Sequence, residues 1–336
     1  MAIRMNDPST RRIIRVATDL ICLVVACIPI IILRFAAQPV RRGFYCYDET
    51  LMRPYRSSSI PYTAAVFTAG GLPCVTMVIT EIILYRCRRD RDLLAKITIG
   101  RLRINVCLIN IYKYIGIFAF GLGTCQSFMY VGKFTIGRLR PHFFDVCKPD
   151  FSKINCTHPM SRFVQEYECT ETDQHRIQEA RMSFPSGHAA LSFYAMTYLA
   201  MYLQVRMTWH WLRLLRHVIQ TACLMFATVV SVSRMWDNKH HWSDVIAGAV
   251  LGSSVAAGML YCVSDLYKTQ DSRLTRTESS RKSSSVPLSP FRKSTQRPSR
   301  GSGGSVASGE HQPNAAGTGL TQTASSPIIL QEVHAI

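Results

Sequence analysis

The stretch VCLINIYKYIGIFAFGLGTCQSFMYVGKFTIGRLRP, residues 106–141, decides the fold because a long apolar run ends in a basic segment. Its apolar part, Val106–Tyr130, exceeds the roughly 20 residues that an α-helix needs to cross a bilayer. Basic residues beside an apolar run are typical of the end of a transmembrane helix. The stretch therefore predicts a membrane-spanning helix whose end lies near Lys133 and Arg140.

Five other apolar stretches approach the same length, so the sequence predicts an all-α, polytopic membrane protein with six transmembrane helices. The fourth and fifth spans are short and should extend into their polar flanks. Pro29 and Pro73 fall inside spans, where kinks are tolerated, while Gly248 and Gly252 favour a close helix contact. The predicted spans are Val16–Leu33, Ala64–Tyr85, Val106–Tyr130, Ala189–Leu203, Val218–Val232 and Val245–Leu266.

The hydrophobic residues, 48% of the 336 in the chain, are distributed unevenly. From Lys268 onward Ser, Thr, Pro, Gly and Arg dominate, which predicts a disordered tail that cannot bury a core. The first apolar stretch lacks a small-residue cleavage site, so it is predicted to be a span and not a signal peptide. We divide the chain into a cytosolic segment (1–15), a six-span membrane domain (16–267) and a Ser-rich basic tail (268–336).

The net charge of +18 does not indicate nucleic-acid binding, because the basic residues cluster beside apolar segments and in the tail. Basic connections at 86–103 and 206–216 predict that these loops and both termini are cytosolic. One predicted outer loop disagrees, because its acidic residues offset its four arginines only in part: Arg41, Arg42, Arg53 and Arg56.

The long connection between the third and fourth spans lies outside in this orientation. It carries the sequon Asn155-Cys156-Thr157, and a glycan at Asn155 would agree with the orientation. Cys147, Cys156 and Cys169 share this connection, and Cys46 lies in the first outer loop. An oxidising lumen would allow one or two disulfides among these four, with the pairing open. No Cys/His spacing typical of a metal site is present.

Three polar segments fall at the outer ends of spans. In KFTIGRLRP, Lys133 and Arg140 would share one face if the stretch is helical. In PSGH, Ser186 and Gly187 precede the fourth span, where a helix N-terminus can hold an anion and His188 would point at it. Each segment also has an ordinary explanation, as a basic flank of a span and as a helix cap respectively.

The third segment, SRMWDNKHHWSD, contains Arg234, His240 and Asp244. His240 and Asp244 are four residues apart, so on a helix the carboxylate would accept the Nδ1 proton and leave Nε2 free to attack. His241 competes for this role, and a polar juxtamembrane loop is the ordinary explanation. Taken together, the three segments supply the cations, nucleophile and acid that phosphoryl transfer through a histidine requires.

The combined pattern K-x6-RP, PSGH and SR-x5-H-x3-D resembles the signature of the type 2 phosphatidic acid phosphatase superfamily. Every position is filled, from Lys133 and Arg140-Pro141 to Ser233-Arg234, His240 and Asp244. The stretches GRLRPHFFDVC, SKINCT and KHHWSDV are similar to the animal lipid phosphate phosphatases, also called phospholipid phosphatases. The resemblance covers about residues 12–267 and leaves out the tail.

The resemblance implies a six-helix bundle whose site faces the lumen or the extracellular space, with the plasma membrane as the first expectation and the ER or Golgi as alternatives. It implies an integral enzyme without a cofactor or Mg²⁺ that acts on phosphatidate, lysophosphatidate, sphingosine 1-phosphate and ceramide 1-phosphate. His240 would be the nucleophile, Asp244 its orienting partner and His188 the general acid. The implied phosphate cradle comprises Lys133, Arg140, Ser186, Gly187 and Arg234.

Two other functions compete with this one. A membrane adaptor could keep the spans and lose catalysis, although the intact Lys133, His188, His240 and Asp244 argue against it. Other enzymes of the superfamily act on sugar phosphates, transfer phosphate between lipids or use vanadate as haloperoxidases. The expected partners are lipid phosphates and the bilayer, and the sequence leaves homo-oligomerisation and the role of the tail open.

Overall fold

The structure, a computed structural model, describes residues 8–87, 97–99, 102–154, 156, 163–264 and 266–267. The sequon residue Asn155 and the predicted tail at 268–336 lie outside these residues. Within them the helices are α1 (Pro8–Ala36), α2 (Tyr62–Cys87), α3 (Val106–Ile136), α4 (Phe143–Cys147), α5 (Gln174–Ala180), α6 (Gly187–Arg206), α7 (Arg213–Trp236) and α8 (Trp242–Gly258). Short 3-10 turns occupy Glu49–Leu51 and His210–Leu212, and a π-helical turn, Met259–Val263, follows α8.

Five helices are long and apolar enough to cross a bilayer: Ile13–Ala36, Tyr62–Cys87, Val106–Ile136, Arg213–Trp236 and Trp242–Val263. The predicted all-α, polytopic membrane fold is confirmed, whereas the count of six spans is not. Five of the predicted spans lie within longer helices, and the continuous helical structure of the last ends at Val263, before the predicted end at Leu266. The fourth and fifth spans extend into their polar flanks, as expected.

The helix α6 corresponds to the fourth predicted span and lies at the centre of the bundle. It packs against α2, α3, α7 and α8, and most of its residues are buried. The hydroxyl groups of Tyr194 and Tyr198 donate to the backbone carbonyls of Phe118 and Tyr114 on α3, at 2.6 and 3.0 Å. A helix surrounded by protein can carry such polar side chains because they do not face lipid.

Two glycines allow α8 to approach α6 closely. A Cβ atom on Gly248 would lie 2.6 Å from the carbonyl oxygen of Ser186, and one on Gly252 would overlap the carbonyl oxygen of Ala190. Both positions therefore exclude a side chain, which confirms the close helix contact that their spacing predicts. The contact matters for function because Ser186 begins the segment at the start of α6.

The loops that the sequence predicts to be outer form a layer over one end of the bundle, which we call the outer layer. Strand β1 (Phe44–Tyr45) pairs antiparallel with β4 (Phe163–Val164), while β2 (Ile97–Ile99) and β3 (Leu102–Ile104) pair elsewhere in the chain. Disulfides join Cys46 to Cys156 and Cys147 to Cys169, which resolves the pairing that the sequence leaves open. Phe44 packs edge-on against Phe144 and forms a small aromatic core beneath this layer.

Candidate active site

The three polar segments meet at the end of the bundle beneath the outer layer. Backbone hydrogen bonds fix them to one another: Ser183 N–H donates to the Arg138 carbonyl at 2.9 Å, and Ser186 N–H donates to the Asp244 carbonyl at 3.0 Å. Within the third segment, His240 N–H donates to the Arg234 carbonyl at 3.3 Å. The first two contacts bring together residues 45 and 58 positions apart in the sequence.

Lys133 and Arg140 reach the site from different types of backbone. α3 ends at Ile136, where Gly137 adopts φ 59° as a left-handed cap, a conformation that favours glycine. Arg140 therefore lies outside the helix, and the interpretation that one helical face carries both cations is wrong. Lys133 Nζ donates to the Met182 carbonyl at 3.1 Å, and Arg140 N–H donates to the Ala180 carbonyl at 2.8 Å.

The PSGH segment begins α6 with Ser186 as its N-cap residue. The Ser186 side chain makes no capping hydrogen bond, although the first N–H groups of a helix have no partner within it. Its Oγ atom is buried and, among the described residues, has no hydrogen-bond partner. A serine hydroxyl in this position is free to bind an anion at the helix N-terminus.

His240 is buried, with 5% of its surface exposed, and its Nδ1 atom lies 2.7 Å from the carbonyl oxygen of Ser183. Asp244 lies farther away, at 3.8 Å from the same nitrogen. The predicted Nδ1–Asp244 hydrogen bond is therefore replaced by one to a backbone carbonyl. The cause is that α8 begins only at Trp242, so the four-residue helical spacing does not apply.

The carbonyl of Ser183 produces the same chemical result as the carboxylate would. A hydrogen bond from Nδ1–H leaves the lone pair on Nε2. Burial lowers the pKa of His240 to about 3, the charges of Arg140 and Lys133 act in the same direction, and Asp244 opposes them. The imidazole is therefore neutral at physiological pH, which is the form that can attack.

Asp244 is the centre of a separate network. Arg138 Nη1 donates to Oδ1 at 2.6 Å and to Ser243 Oγ at 2.7 Å, while Ser183 Oγ donates to Oδ2 at 2.6 Å. His241 contributes its N–H at 3.0 Å and its Nδ1 at 3.2 Å to the same oxygen. Asp244 thus fixes Ser183, whose carbonyl orients His240.

Sequence reasoning missed Arg138 and Ser183. Arg138 lies inside the K-x6-RP stretch, but basic residues are common at the ends of transmembrane helices, so its residue type alone does not indicate a role in the site. Ser183 acts in part through its carbonyl oxygen, which any residue type has, so no sequence signal identifies it. His241 was the alternative nucleophile in the sequence analysis. In the structure it is the N-cap residue of α8, and its Nδ1 atom contacts Asp244.

The remaining predicted residues also lie at this site. His188 Nε2 lies 3.1 Å from the Ile60 carbonyl oxygen, and the charges of Arg234 and Lys133 act on the ring. Arg234 has only 1% of its surface exposed. Burial lowers the pKa of Arg140, and the positive charge of Arg234 lowers it further, so Arg140 and Arg234 are close enough to interact. The carboxylates of Glu179 and Asp244 act in the opposite direction and raise this pKa.

Four buried donors lack partners in the described part of the chain, and two of them belong to this site: Arg140 Nε and Ser186 Oγ. A buried donor without a partner is costly, about 1–3 kcal/mol. Both atoms belong to the predicted cradle, and Gly187 follows directly at the helix N-terminus. A cluster of cations, unpaired donors and a helix N-terminus is suited to bind a multiply charged oxyanion.

Comparisons with known proteins agree with this geometry. A family model described as PAP2 superfamily matches residues 114–268, which include all three segments. Phospholipid phosphatase 1 of Rattus norvegicus is 38% identical over 271 residues, covering 79% of this chain and 90% of the relative. Phospholipid phosphatase 2 of the same species is 38% identical over 260 residues, covering 77% and 90%. No solved structure matches the chain.

Identity at this level over most of both chains, together with the family match and the assembled site, establishes the relationship. The same three segments carry the motif resemblance, lie together in the structure and fall within the matched region. The chain therefore belongs to the PAP2 superfamily, among its lipid phosphate phosphatases.

Proposed function

We propose that this protein hydrolyses the phosphate monoesters of membrane lipids through a phosphohistidine formed on His240. The observation that carries the proposal is the pair of buried, unpartnered donors, Arg140 Nε and Ser186 Oγ, beside an imidazole held with Nε2 unprotonated. These donors would bind the phosphoryl oxygens. The expected substrates are phosphatidate, lysophosphatidate, sphingosine 1-phosphate and ceramide 1-phosphate, as the resemblance to lipid phosphate phosphatases implies.

In the first step the lone pair of His240 Nε2 forms a bond to phosphorus while the bond from phosphorus to the lipid oxygen breaks. The departing alkoxide takes a proton from His188, which acts as the general acid in its protonated form and is left as a neutral imidazole. The negative charge of the bound substrate would favour that protonated form. The Nδ1–H bond to the Ser183 carbonyl persists through the step. Asp244, at 3.8 Å, would stabilise the positive charge that develops on the ring.

In the second step a water molecule attacks phosphorus, and His188 accepts one of its protons. The bond between phosphorus and Nε2 breaks, its electron pair returns to His240, and inorganic phosphate leaves. The phosphoryl group carries its negative charge on three equatorial oxygens during both transfers. Lys133, Arg140 and Arg234 would neutralise that charge, so we expect activity without a divalent cation.

The two disulfides support an outward-facing site. The segments of the site lie at the end of the bundle that carries both disulfides, and disulfides form in oxidising compartments. We propose that six helices cross the membrane, namely the five apolar helices and α6. Both termini then lie in the cytosol, and the site faces the extracellular space or the lumen. The plasma membrane is the expected location.

Phosphate release by the purified protein tests this function. We expect release from the lipid phosphates above in detergent, unaffected by EDTA and inhibited by vanadate, which mimics the pentavalent transition state. A protein that releases no phosphate from any member of the panel would be an adaptor on the same scaffold. Activity that EDTA abolishes and Mg²⁺ restores would contradict the role assigned to the three cations.

Intact cells test the orientation. If the protein lies at the cell surface with its site outward, added lysophosphatidate should be dephosphorylated without entering the cell. An antibody epitope inserted between residues 150 and 181 should be accessible without permeabilisation. Access only after permeabilisation, with the protein at the surface, would overturn this topology.

A further inference from the structure

The segment Arg53–Ile60, which we call the strap, connects the outer layer to the start of α2 and contacts all three parts of the site. At one end, Arg53 N–H donates to the carbonyl of Pro141, next to Arg140, at 2.9 Å. At the other end, the Ile60 carbonyl lies 3.1 Å from His188 Nε2. The strap is largely exposed on its outer side, and these polar contacts hold it against the site together with Ile60, which packs against the hydrophobic core.

Between these ends, the strap contacts the loop that carries His240. Asn238 Nδ2 donates to the Pro54 carbonyl at 3.0 Å, and Lys239 Nζ lies 3.6 Å from the centre of the Tyr55 ring. The key contact involves Asp237, which is 4% exposed. Ser59 donates its N–H to Asp237 Oδ2 at 2.9 Å and its hydroxyl to Oδ1 at 2.5 Å.

Asp237 also holds the guanidinium group of Arg234. Arg234 Nη2 donates to Asp237 Oδ2 at 2.7 Å, and the same guanidinium contacts Ser233 Oγ at 3.1 and 3.2 Å. Asp237 is therefore the charged partner that sets the orientation of this buried cation. Charge-assisted hydrogen bonds of this kind define the plane of a guanidinium group.

Helix stability does not explain why an aspartate stands at this position. Asp237 is the C-cap of α7, where the partial negative charge of the helix end disfavours a carboxylate. Its two oxygens are instead occupied by Arg234 and by Ser59 from a distant loop. An aspartate at this position is explained if its function is to orient Arg234.

We propose that Asp237 and Ser59 are positioning residues of the phosphate site. Asp237 orients Arg234 toward the phosphoryl oxygens, and Ser59 holds Asp237 so that it does not rotate when an anion draws Arg234 away from it. The strap thereby makes the first outer loop a structural part of the phosphate site. The inference rests on the proposed function.

Three variants of the purified full-length protein test the inference: Ser59→Ala, Ser59→Thr and Asp237→Asn. Ser58→Ala is the matched control, because Ser58 is an exposed neighbour in the strap. The readouts are kcat, KM, the inhibition constant of vanadate and the melting temperature in detergent with and without vanadate. A ligand that binds the folded protein raises its melting temperature, so the last readout detects binding without catalysis.

We expect Ser59→Ala to weaken vanadate inhibition and kcat/KM about tenfold, the effect of losing a hydrogen bond to a charged group. Ser59→Thr, which keeps the hydroxyl, should restore both, and Asp237→Asn should have a larger effect. Ser58→Ala should match the parent. A role limited to folding would lower the melting temperature without changing the vanadate constant, and that result would overturn the inference, as would parental kinetics in Ser59→Ala.

Failure of the proposed function would look different. A parent protein that releases no phosphate from lipids would refute that function, and vanadate-induced stabilisation would then still test the positioning role in the same variants. A parent that neither hydrolyses lipid phosphates nor is stabilised by vanadate would overturn both proposals. A parent that hydrolyses them, with Ser59→Ala unchanged, would overturn only the positioning role.

Discussion

The orientation of His240 depends on a backbone carbonyl and not on the carboxylate that its motif spacing suggests. Its Nδ1 lies 2.7 Å from the Ser183 carbonyl and 3.8 Å from Asp244. Asp244 holds Ser183 through the Ser183 hydroxyl, at 2.6 Å. The carboxylate therefore acts on the proposed nucleophile largely through its neighbour, and every residue that holds Asp244 becomes relevant to catalysis.

Arg138 is the residue whose effect this network predicts most clearly. Its Nη1 donates to both Asp244 and Ser243, so Arg138→Met should leave Asp244 partly unpaired and loosen Ser183. We expect kcat to fall about tenfold to a hundredfold, as for the loss of a charged hydrogen bond worth about 1.5–3 kcal/mol. Steady-state assays on lysophosphatidate would measure the change.

A matched control for Arg138 is Lys153→Ala, which removes an exposed cation paired with Glu168 at 3.1 Å. Exposed ion pairs contribute little, so this variant should keep parental activity. Full activity of Arg138→Met in the same assay would mean that Asp244 does not need this partner.

His188 should show the signature of a general acid. His188→Ala should lower kcat for lysophosphatidate by about 100- to 10,000-fold, because the lipid alkoxide is a poor leaving group without a proton. The loss should be much smaller for p-nitrophenyl phosphate, whose leaving group needs little protonation. Equal losses on both substrates, measured in parallel, would argue against this role.

Among the elements, α6 is the one that sequence composition describes least well. Its predicted apolar run, Ala189–Leu203, is as short as that of α7, and both are shorter than the other four. In the structure the surrounding helices bury α6. Apolarity identifies the helices that face lipid, and among the residues that the structure describes five helices meet that criterion. The PSGH motif at its start, and not its hydropathy, predicts that α6 contributes to the site.

The contact between α6 and α8 predicts the effect of a side chain at Gly248. A Cβ atom there would lie 2.6 Å from the Ser186 carbonyl, so Gly248→Val should push the start of α6 away from Asp244. Overpacking costs about 1–3 kcal/mol of stability, so we expect a lower melting temperature. Displacement of Ser186 should also lower kcat/KM about tenfold, which corresponds to about 1.4 kcal/mol.

Gly258→Val is the control for this change on the same helix. No atom lies within 4 Å of the Cβ position at Gly258, so the variant should retain the stability and activity of the parent. If Gly248→Val is as active as Gly258→Val, the close approach of the helices does not position Ser186.

At the scale of the whole molecule, the sequence predicted the class of fold and the three segments of the site, but not how the segments are joined. Some of the joining contacts are backbone hydrogen bonds, such as Ser183 N–H to the Arg138 carbonyl, which leave no trace in residue type. The disulfide pairing and the strap contacts depend on the path of the outer loops. Neither hydropathy nor motif spacing describes that path.

Buried histidines should make the stability of the whole protein depend on pH. Burial lowers the pKa of His142 to about 4 and that of His240 to about 3, while an unfolded histidine titrates near pH 6.5. As pH falls below 6.5 the unfolded state binds protons first, so stability is lost on acidification. The melting temperature in detergent should fall between pH 6.5 and 5.

His142→Gln should reduce the slope of that pH dependence, because it removes one of the buried imidazoles. His175→Gln is the control, since His175 is exposed on α5. Equal slopes in the parent and in both variants would contradict the assignment of the effect to the buried ring.

The central claim is that His240, and not its neighbour His241, carries the phosphoryl group. The measurement that tests it most directly is rapid-quench labelling with a radiolabelled lipid phosphate. We predict an adduct that is labile in acid and stable in base, as phosphohistidine is, in the parent and in His241→Ala, and no adduct in His240→Ala. An adduct that persists in His240→Ala and disappears in His241→Ala would contradict the assignment.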